Sequence, residues 1–420
     1  MSTGYGGRLS CSRCGTEQLE SAAFAPCPRC VSAGVSVNLA PVYALARGPL
    51  PRSEEPGLFR YRDLLPLRPG DDPVSIGEGD TPVLPLSRLG RELGLHNLWL
   101  KDESRNPTWS YKDRLAAVAI TKARADGADT VVVSTTGNHG AAVAAYAAAA
   151  GLRCVALTLT TVPATMRTLM QAYGASVIAY ERPTDRWQVM SQAVAERGWI
   201  PMSGFRNPPV GSNPFGVEGY KTIAYELVEQ LGRAPDVVVT PVAYGDGLAG
   251  IARGFADLQA MGVIDALPRL IAAEVFGPYA QALQTGEDVT GTVAVETSVA
   301  FSIATPVGTY QGIDALRRSA GTAVAVPDDE QIMALQLRLG ALEGLYLEAS
   351  SIVPLAAAGA LARSGELGLD ELVVAIGTST GLKDVDATAA RLPAPAVAEP
   401  TLAALDEALG HMPEPALGGH

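Results

Sequence analysis

Strand-like and helix-like segments alternate along most of this chain, and that alternation is the strongest constraint on its fold. Thr130–Ser134 reads TVVVS and Asp236–Thr240 reads DVVVT. Such uninterrupted β-branched runs are typical of strands that a parallel sheet buries on both faces. Segments with helical periodicity separate these runs, as they do in repeated βαβ units. The sequence therefore predicts an α/β protein built on parallel sheets.

The alternation occurs in two runs, which a polar stretch at Ser203–Asn213 separates. A chain of 420 residues is long enough for two domains and a small appendage. We therefore expect two α/β domains with a cleft between them. The predicted strands are Asn97–Lys101, Thr130–Ser134, Arg153–Leu157, Ser176–Tyr180, Asp236–Thr240, Arg269–Val275 and Glu371–Ile376. The predicted helices are Tyr111–Asp126, Gly140–Ala150, Ala164–Tyr173, Asp185–Arg197, Phe215–Leu231, Leu248–Met261, Asp328–Glu343 and Ser351–Arg363.

Four of the five cysteines form two CxxC pairs near the N-terminus, Cys11 with Cys14 and Cys27 with Cys30. Paired CxxC units at this spacing predict a tetrahedral zinc site. The segment around them is too short and polar for a core of its own, so a metal would supply folding energy. Its role would be structural, because four thiolates leave no open position. A ribbon that has lost its metal, or four free thiols, is the alternative. Cys154 lies in an apolar run and is read as a buried small hydrophobe.

The charge and hydropathy of the chain exclude two classes of partner. The formal net charge is −12, whereas a nucleic-acid binder needs a basic surface. No apolar run reaches the roughly 18 residues that span a bilayer, and the first thirty residues lack the apolar core of a signal peptide. We therefore expect a cytoplasmic protein with neither nucleic-acid nor membrane partners.

Four loops combine the residue types that bind small ligands. The first, Asn106–Arg114, reads NPTWSYKDR and places Lys112 at a helix start. A helix N-terminus and the neighbouring Arg114 both disfavour a protonated ammonium, and a neutral amine is what Schiff-base chemistry needs. Taken alone, the motif more often marks an ordinary surface lysine at a helix start.

The other three loops each follow a predicted strand, at the sheet edge where ligands bind in open α/β folds. Ser134–Gly140 (STTGNHG) offers hydroxyls and an amide for a ring hydroxyl or a carboxylate. Pro241–Gly250 (PVAYGDGLAG) can cradle a phosphate on backbone N–H groups, although it lacks the Walker and dinucleotide spacings. Gly377–Asp384 (GTSTGLKD) offers hydroxyls for a ring nitrogen. In isolation, each could be an ordinary turn.

Together and in this order, the four loops resemble the threonine synthase branch of the fold-type II pyridoxal 5′-phosphate (PLP) enzymes, the tryptophan synthase β-like family. GEGDTP at 77–82 and SNPFGVEG at 212–219 extend the resemblance. It implies two open parallel-sheet α/β domains with an N-terminal zinc ribbon, and a homodimer that acts on an amino acid as its small-molecule substrate. The implied boundaries are 1–38 for the zinc ribbon, 39–90 with 206–395 for the large PLP domain, 91–205 for the small PLP domain and 396–420 for a tail.

The resemblance also assigns the site residues. Lys112 would hold PLP as a Schiff base and act as general base at the substrate Cα. Asn138 would lie beside the phenolic oxygen of PLP, and the Thr378 hydroxyl would face the pyridine nitrogen. The phosphate loop would comprise Ala243, Tyr244, Gly245, Asp246 and Gly247. The substrate would contact Thr135, Thr136, Gly137, His139, Gly140, Trp109 and Tyr244.

Several positions depart from the pattern of the family. The Gly of NPTGSFKDR is Trp109 here, whose indole would fill space near the lysine. The Arg of VNPFRLEG is Gly216, and the first Asn of GNGGN is Tyr244. The Thr of STGNT is His139, which could carry a proton near Cβ or Cγ, and Asp246 adds a negative charge. These changes oppose a dianionic leaving group.

The predicted function is therefore PLP-dependent elimination or replacement at Cβ or Cγ of an amino acid, with an altered substrate-phosphate site. Three alternatives stay open. The first is an authentic threonine synthase, which converts O-phosphohomoserine to threonine and phosphate. The second is a serine/threonine dehydratase-type lyase, and the third is a non-catalytic homologue with the same fold.

Overall fold

The computed structural model describes residues 4–410 of the chain. The strands, numbered in chain order, are β1 (Gly4–Cys11), β2 (Glu17–Leu19), β3 (Leu39–Ala44), β4 (Val83–Pro85), β5 (Leu98–Asp102), β6 (Thr130–Ser134), β7 (Arg153–Leu159), β8 (Ser176–Tyr180), β9 (Ile200–Pro201), β10 (Val237–Pro241), β11 (Arg269–Glu274), β12 (Thr322–Ala325) and β13 (Val373–Gly377).

The α-helices are α1 (Pro28–Val31), α2 (Ser87–Leu93), α3 (Lys112–Ala125), α4 (Asn138–Ala150), α5 (Ala164–Ala172), α6 (Pro183–Arg197), α7 (Pro214–Val217), α8 (Lys221–Leu231), α9 (Asp246–Met261), α10 (Pro278–Thr285), α11 (Tyr310–Arg318), α12 (Asp329–Glu343), α13 (Ala349–Ser364), α14 (Asp386–Ala389) and α15 (Leu402–Gly410). Short 3₁₀ helices occupy Glu20–Ala22, Gly57–Leu64, Glu103–Arg105, Glu218–Tyr220 and Gly381–Lys383.

The larger of the two main sheets has six strands in the order β12-β11-β10-β13-β5-β4. All neighbouring pairs are parallel except β4 with β5, which is antiparallel at one edge. β10 and β13 are buried along their whole length, as their β-branched sequences predict. The prediction of a parallel-sheet α/β fold is confirmed for this sheet.

The smaller main sheet has four parallel strands in the order β8-β7-β6-β9. α4 and α5 pack together, and α3 packs on α4, which links the two sheets. Ala-rich α4 is buried over most of its length because methyl side chains allow a close approach of helices. This sheet also confirms the predicted parallel α/β architecture.

The predicted domain boundary at residue 91 does not match the strand pairing. β5 falls within 91–205, yet Leu98 pairs with Val373 and Asp102 with Gly377 in the six-stranded sheet. The chain thus completes two strands of the larger sheet before it enters the smaller one. An apolar pattern predicts that a strand is buried but not which sheet it joins. The remaining boundaries stay predictions.

The N-terminal segment forms a three-stranded antiparallel sheet in the order β2-β1-β3. Its third strand pairs Leu39 with Cys11 and runs to Ala44, past the predicted end at residue 38. The rings of Phe24 and Phe215 meet edge to face, 6.4 Å apart, so the segment packs on the larger body of the protein. Residues 1–3 of the predicted ribbon lie outside the described part of the chain.

Other differences arise where the sequence pattern is weak. α10, α11 and β12 lie in a region without a predicted element, where Gly, Pro and Thr interrupt the apolar runs before a clear period is established. The predicted helix 215–231 is divided at Glu218–Tyr220, where a Cβ on Gly219 would lie 2.0 Å from the Arg114 carbonyl oxygen. The predicted tail contains α15, and its residues 411–420 lie outside the described part. None of the helices in residues 4–410 has the length and apolarity needed to cross a membrane.

Candidate functional site

The four loops singled out by sequence meet at one place. β10, β13 and β5 are neighbours in the larger sheet, so the loops that follow them emerge side by side. The Tyr111 N–H donates to the Thr378 carbonyl at 2.9 Å, and the Ser379 hydroxyl donates to the Trp109 carbonyl at 2.9 Å. The same hydroxyl lies 3.3 Å from Asn138 Oδ1, which joins the loop after β6 to this group. The structure therefore assembles a site between the two sheets, as the positions of the loops predict.

Lys112 is the first residue of α3 and is half-buried at this junction. Its Nζ lies 4.8 Å from the ring centroid of Tyr111 and 5.7 Å from that of Tyr220. Among residues 4–410, no acceptor or carboxylate lies within bonding distance of this amine. Two aromatic faces and no acid leave the nitrogen free to react with a carbonyl group.

Arg114 does not act on Lys112 as the sequence analysis expects. Its side chain is fully buried and bonds Glu103 at 2.7 Å and Glu226 at 2.7 Å. Lys101 also bonds Glu226 at 2.7 Å. Successive residues on a helix point in different directions, so Arg114 faces away from the amine two positions earlier. We call Lys101, Glu103, Arg114 and Glu226 the Arg114 network; its two positive and two negative charges balance.

Asp113 fixes the loop that precedes Lys112. Its carboxylate accepts the Thr108 N–H at 2.9 Å and the Thr108 hydroxyl at 2.6 Å. Burial raises the pKa of Asp113 to about 7, although the Thr108 donors oppose this shift. These two hydrogen bonds connect the NPT part of the motif to the KD part. They fix the point at which α3 begins, with Lys112 as its first residue.

Trp109 has a backbone conformation that rarely suits a residue with a side chain. Its φ is +60°, and its side chain is 45% exposed. The expectation that the indole fills space near the lysine stays a prediction, since the residue is partly exposed. The left-handed conformation explains why the resembling motif has Gly at this position.

Two substitutions at this position separate the backbone from the indole. We expect Trp109→Gly to be more stable than Trp109→Ala by about 1 kcal/mol, because alanine retains the cost of the left-handed conformation. Urea denaturation of both variants measures the difference, and wild type is the reference. Equal stability of the two variants would show that φ is relaxed in solution.

Asn138 lies in a polar group that the sequence analysis only partly identified. Its Nδ2 donates to Glu348 at 2.9 Å, and its Oδ1 accepts from Lys383 at 2.7 Å. Burial lowers the pKa of Lys383 to about 8, while Glu348 and Asp113 oppose the shift. Burial raises the pKa of Glu348. Glu348 has no motif of its own, whereas Lys383 stands inside GTSTGLKD and could have been found there.

Thr378 follows β13, as expected, and is paired with a residue that sequence reasoning missed. Its hydroxyl lies 3.0 Å from the Ser351 hydroxyl. Ser351, which is fully buried in α13, also accepts the Ser379 N–H at 3.0 Å. The pair provides a hydroxyl, and no carboxylate, at the end of the central strand.

The Gly-rich loop turns from β10 into α9 at Gly245, whose φ is +84°. A Cβ there would lie 2.5 Å from the Tyr279 hydroxyl, so only glycine fits. The first turn of α9 leaves the N–H groups of Asp246, Gly247 and the next residue without helical partners, which suits an anion. The Asp246 carboxylate does not enter this turn but accepts from Gln311 at 2.6 Å and from the Ser212 N–H.

The loop after β6 is shaped by Thr135. Its hydroxyl accepts the N–H groups of Gly137 and Gly140, both at 2.9 Å. Burial, and then the Lys112 charge, lower the pKa of His139 well below its ordinary value. His139 Nε2 is buried without a partner among the described residues. The imidazole is therefore neutral near pH 7 and available to a ligand.

Comparison with known proteins assigns the family. The family described as "Pyridoxal-phosphate dependent enzyme" matches residues 74–379, which contain the first three loops and the start of the fourth. The chain belongs to this PLP-dependent enzyme family. Its relatives within the family include the threonine synthase of Methanocaldococcus jannaschii, 35% identical over 80% of this chain and 83% of that one. The threonine synthase of Methanosarcina acetivorans is 32% identical over 96% of this chain and 98% of that one.

Solved structures show the same fold. The processed form of threonine deaminase isoform 2 from Solanum lycopersicum superposes with a TM-score of 0.63 at 21% identity, over 83% of this chain and 94% of that one. Diaminopropionate ammonia lyase from Escherichia coli has a TM-score of 0.64 at 21% identity, over 74% and 87% of the two chains. These likenesses confirm the PLP-enzyme fold that the loops predict.

The residues at the site fit PLP chemically. Lys112 provides an amine with no carboxylate at bonding distance among the described residues, and a Schiff base with an aldehyde needs such an unpaired amine. The first turn of α9 provides N–H donors for a phosphate. The Thr378–Ser351 pair provides a hydroxyl for a ring nitrogen. Asn138 has bonded one of its two amide hydrogens to Glu348, so the other is available to a phenolic oxygen.

A second group of residues could hold a metal. The sulfurs of Cys11, Cys14, Cys27 and Cys30 all lie within 4.8 Å of one another. The two closest pairs, Cys11 with Cys30 and Cys14 with Cys27, are 3.6 Å apart. Cys154 is buried elsewhere, in the apolar core, as expected. Four converging thiols match the ligand number of a closed zinc site.

Proposed function

We propose that this enzyme catalyses elimination or replacement at Cβ or Cγ of an amino acid, at a side-chain site that differs from that of threonine synthases. The free amine of Lys112 at the junction of four loops is the observation that carries the proposal. Bound PLP would withdraw electrons from the substrate Cα. Lys112 would hold its aldehyde and then move the Cα proton.

The other residues would bind and orient. The Thr378 hydroxyl would face the ring nitrogen; a hydroxyl there, unlike a carboxylate, favours elimination and replacement over transamination. Gly245 and its neighbours Ala243, Tyr244, Asp246 and Gly247 would surround the phosphate. The substrate carboxylate would rest on the N–H groups of the loop Thr135–Gly140, which includes Thr136 and Gly137. Asn138 would contact the phenolic oxygen.

Two positions support a changed side-chain site. A Cβ on Gly216 would lie 2.9 Å from Leu115 Cγ and 3.0 Å from Ala119 Cβ, because α7 packs closely on α3. No cation can extend from this position without moving α3. Tyr244 packs its ring on Trp187, 6.1 Å away, rather than offering an amide. His139 adds a neutral imidazole with a free nitrogen, and we propose that it carries a proton to or from the leaving group.

An authentic threonine synthase is the second candidate. The identities of 35% and 32% to threonine synthases, over 80% and 96% of this chain, favour it. A non-catalytic homologue is less supported, since Lys112 is free and the four loops converge. A dehydratase-type lyase would need the same lysine and loops, and the release of a keto acid from L-serine or L-threonine would identify it.

A substrate panel tests the proposal. Purified protein supplied with PLP is mixed with O-phospho-L-homoserine, L-homoserine, L-serine and L-threonine, and the absorbance of the bound cofactor is recorded. Keto acid, phosphate and threonine are then assayed. We expect at least one amino acid to change the spectrum and to be consumed. Release of phosphate with equimolar threonine identifies the second candidate, and an unchanged spectrum with every amino acid contradicts both.

We also propose that the four cysteines bind one structural zinc ion. Cys27→Ala should lose the metal and lower the melting temperature, because three thiolates no longer close the site. Cys154→Ala, which removes a buried thiol elsewhere, should keep its metal and is the matched control. Metal analysis of both proteins provides the measurement. Equal zinc content in the two variants would contradict the site. The homodimer and the cytoplasmic location stay predictions.

A further inference from the structure

Arg186, in the first turn of α6, is a buried cation without an acidic partner. Its residue is 7% exposed. Its Nη1 donates to the Thr135 carbonyl at 2.8 Å, and its Nε lies 3.5 Å from the Pro183 carbonyl. Within residues 4–410, no carboxylate lies at ion-pair distance from this guanidinium. The buried cations Lys101, Arg114 and Lys221, by contrast, have carboxylate partners.

This arrangement leaves donors of the Arg186 guanidinium open to a ligand. A guanidinium has five N–H donors, and one carbonyl at hydrogen-bond distance satisfies a single one. Burial without a counter-ion disfavours the charged form, and it lowers the pKa of Arg186. An anion at this position would compensate the charge and fill the remaining donors.

The position of Arg186 relates it to the substrate. It bonds Thr135, the first residue of the loop that would hold the substrate carboxylate. Its neighbour Trp187 packs on Tyr244 of the phosphate loop, and the Arg186 charge acts on the pKa of Tyr244. The guanidinium thus lies between the substrate loop of one sheet and the phosphate loop of the other. The side chain of a bound amino acid would occupy this part of the cleft.

We propose that Arg186 binds an acidic group in the side chain of the substrate, and so supplies the cation that Gly216 cannot. This inference rests on the proposed function and specifies its substrate class: an amino acid whose side chain ends in a phosphate ester or a carboxylate. The altered site is then still an anion site, with its cation on α6 instead of α7.

Arg186→Gln tests the assignment, with Arg182→Gln as the matched control. Both residues are arginines at the start of the same helix, but Arg182 is 78% exposed in its side chain and pairs with Asp185. Calorimetry of the PLP-loaded proteins measures the affinity for O-phospho-L-homoserine, L-glutamate and neutral L-homoserine. We expect Arg186→Gln to lose at least about tenfold in affinity for the acidic ligand that wild type prefers. L-Homoserine should be unaffected, and Arg182→Gln should match wild type throughout.

The acidic ligand whose affinity falls in Arg186→Gln shows whether the substrate side chain ends in a phosphate ester or in a carboxylate. Equal losses for acidic and neutral ligands would overturn the proposal, because they would mean that Arg186 only holds the Thr135 loop. Unchanged affinity for all ligands would overturn it as well. If wild type binds no amino acid, the proposed function fails, and inorganic phosphate then decides the inference separately. Phosphate binding weakened by Arg186→Gln alone would support the anion site, and binding equal in all three proteins would refute it.

Discussion

Replacement of Lys112 by alanine or arginine should reduce turnover at least about 1,000-fold. Neither side chain can hold the aldehyde of PLP or move the proton at Cα. Arginine keeps a long polar side chain beside the rings of Tyr111 and Tyr220, so Lys112→Arg should fold normally and still be inactive. Steady-state rates with the substrate found in the panel provide the measurement, and melting temperatures of the proteins without PLP provide the folding control.

Borohydride reduction identifies the lysine directly. In wild type, the pyridoxyl group should be recovered on Lys112 by peptide mapping. The nearby Lys383 is the competing amine, since burial lowers its pKa to about 8. A label on Lys383, or a label that survives Lys112→Arg, would reject the assignment of the cofactor lysine.

Removal of Arg114 should produce the largest loss of stability. In Arg114→Met, Glu103 and Glu226 remain buried without a cation on the helix, and we expect the free energy of unfolding to fall by about 3–5 kcal/mol. Both carboxylate side chains are 0% exposed, so water cannot replace the lost bonds. Urea denaturation measures the effect in the PLP-free protein.

A second substitution shows whether the unpaired charge is the cause. Glu103→Gln in the Arg114→Met background should recover part of the loss, because Glu103 then has no cation beside it, whereas Glu226 keeps Lys101. A loss below about 1 kcal/mol in the single variant would mean that the Arg114 network contributes little.

The sign of the pH dependence of stability follows from Glu226: burial opposes ionisation, but Arg114 and Lys101 lower the pKa of Glu226 below its ordinary value. The network therefore stabilises the protein above the ordinary Glu pKa, and this contribution is lost as the pH falls.

The Arg114 network also connects several of the motifs that lie far apart along the chain. Thr81 of GEGDTP donates to Glu103 at 2.6 Å, and Asn106 of NPTWSYKDR accepts the Gly79 N–H at 3.0 Å. Glu226 lies in the helix that follows SNPFGVEG, and its carboxylate accepts the backbone N–H of Asp80 at 2.8 Å. Much of what resembles a catalytic signature therefore holds the loops in place, and Lys112 is positioned as a result.

The sequence alone determined the class of fold and the outline of the site. The spacing of apolar residues along strands and helices, which depends on local burial, predicted both parallel sheets. The loops after β5, β6, β10 and β13 were identified because ligands bind at the carboxyl ends of parallel strands. CxxC spacing predicted the group of four cysteines, whose sulfurs lie within 4.8 Å of one another.

Only the tertiary structure decided which polar side chains face one another. Asn138 bonds Glu348 across 210 positions of sequence, and Thr378 meets Ser351 from a different helix. Arg114 lies two residues from Lys112, yet it faces another cluster. Arg186 has no motif, and its lack of an acidic partner appears only in three dimensions. The reason is physical: periodicity records whether a side chain is buried, whereas the partner of a buried charge depends on the packing of distant elements.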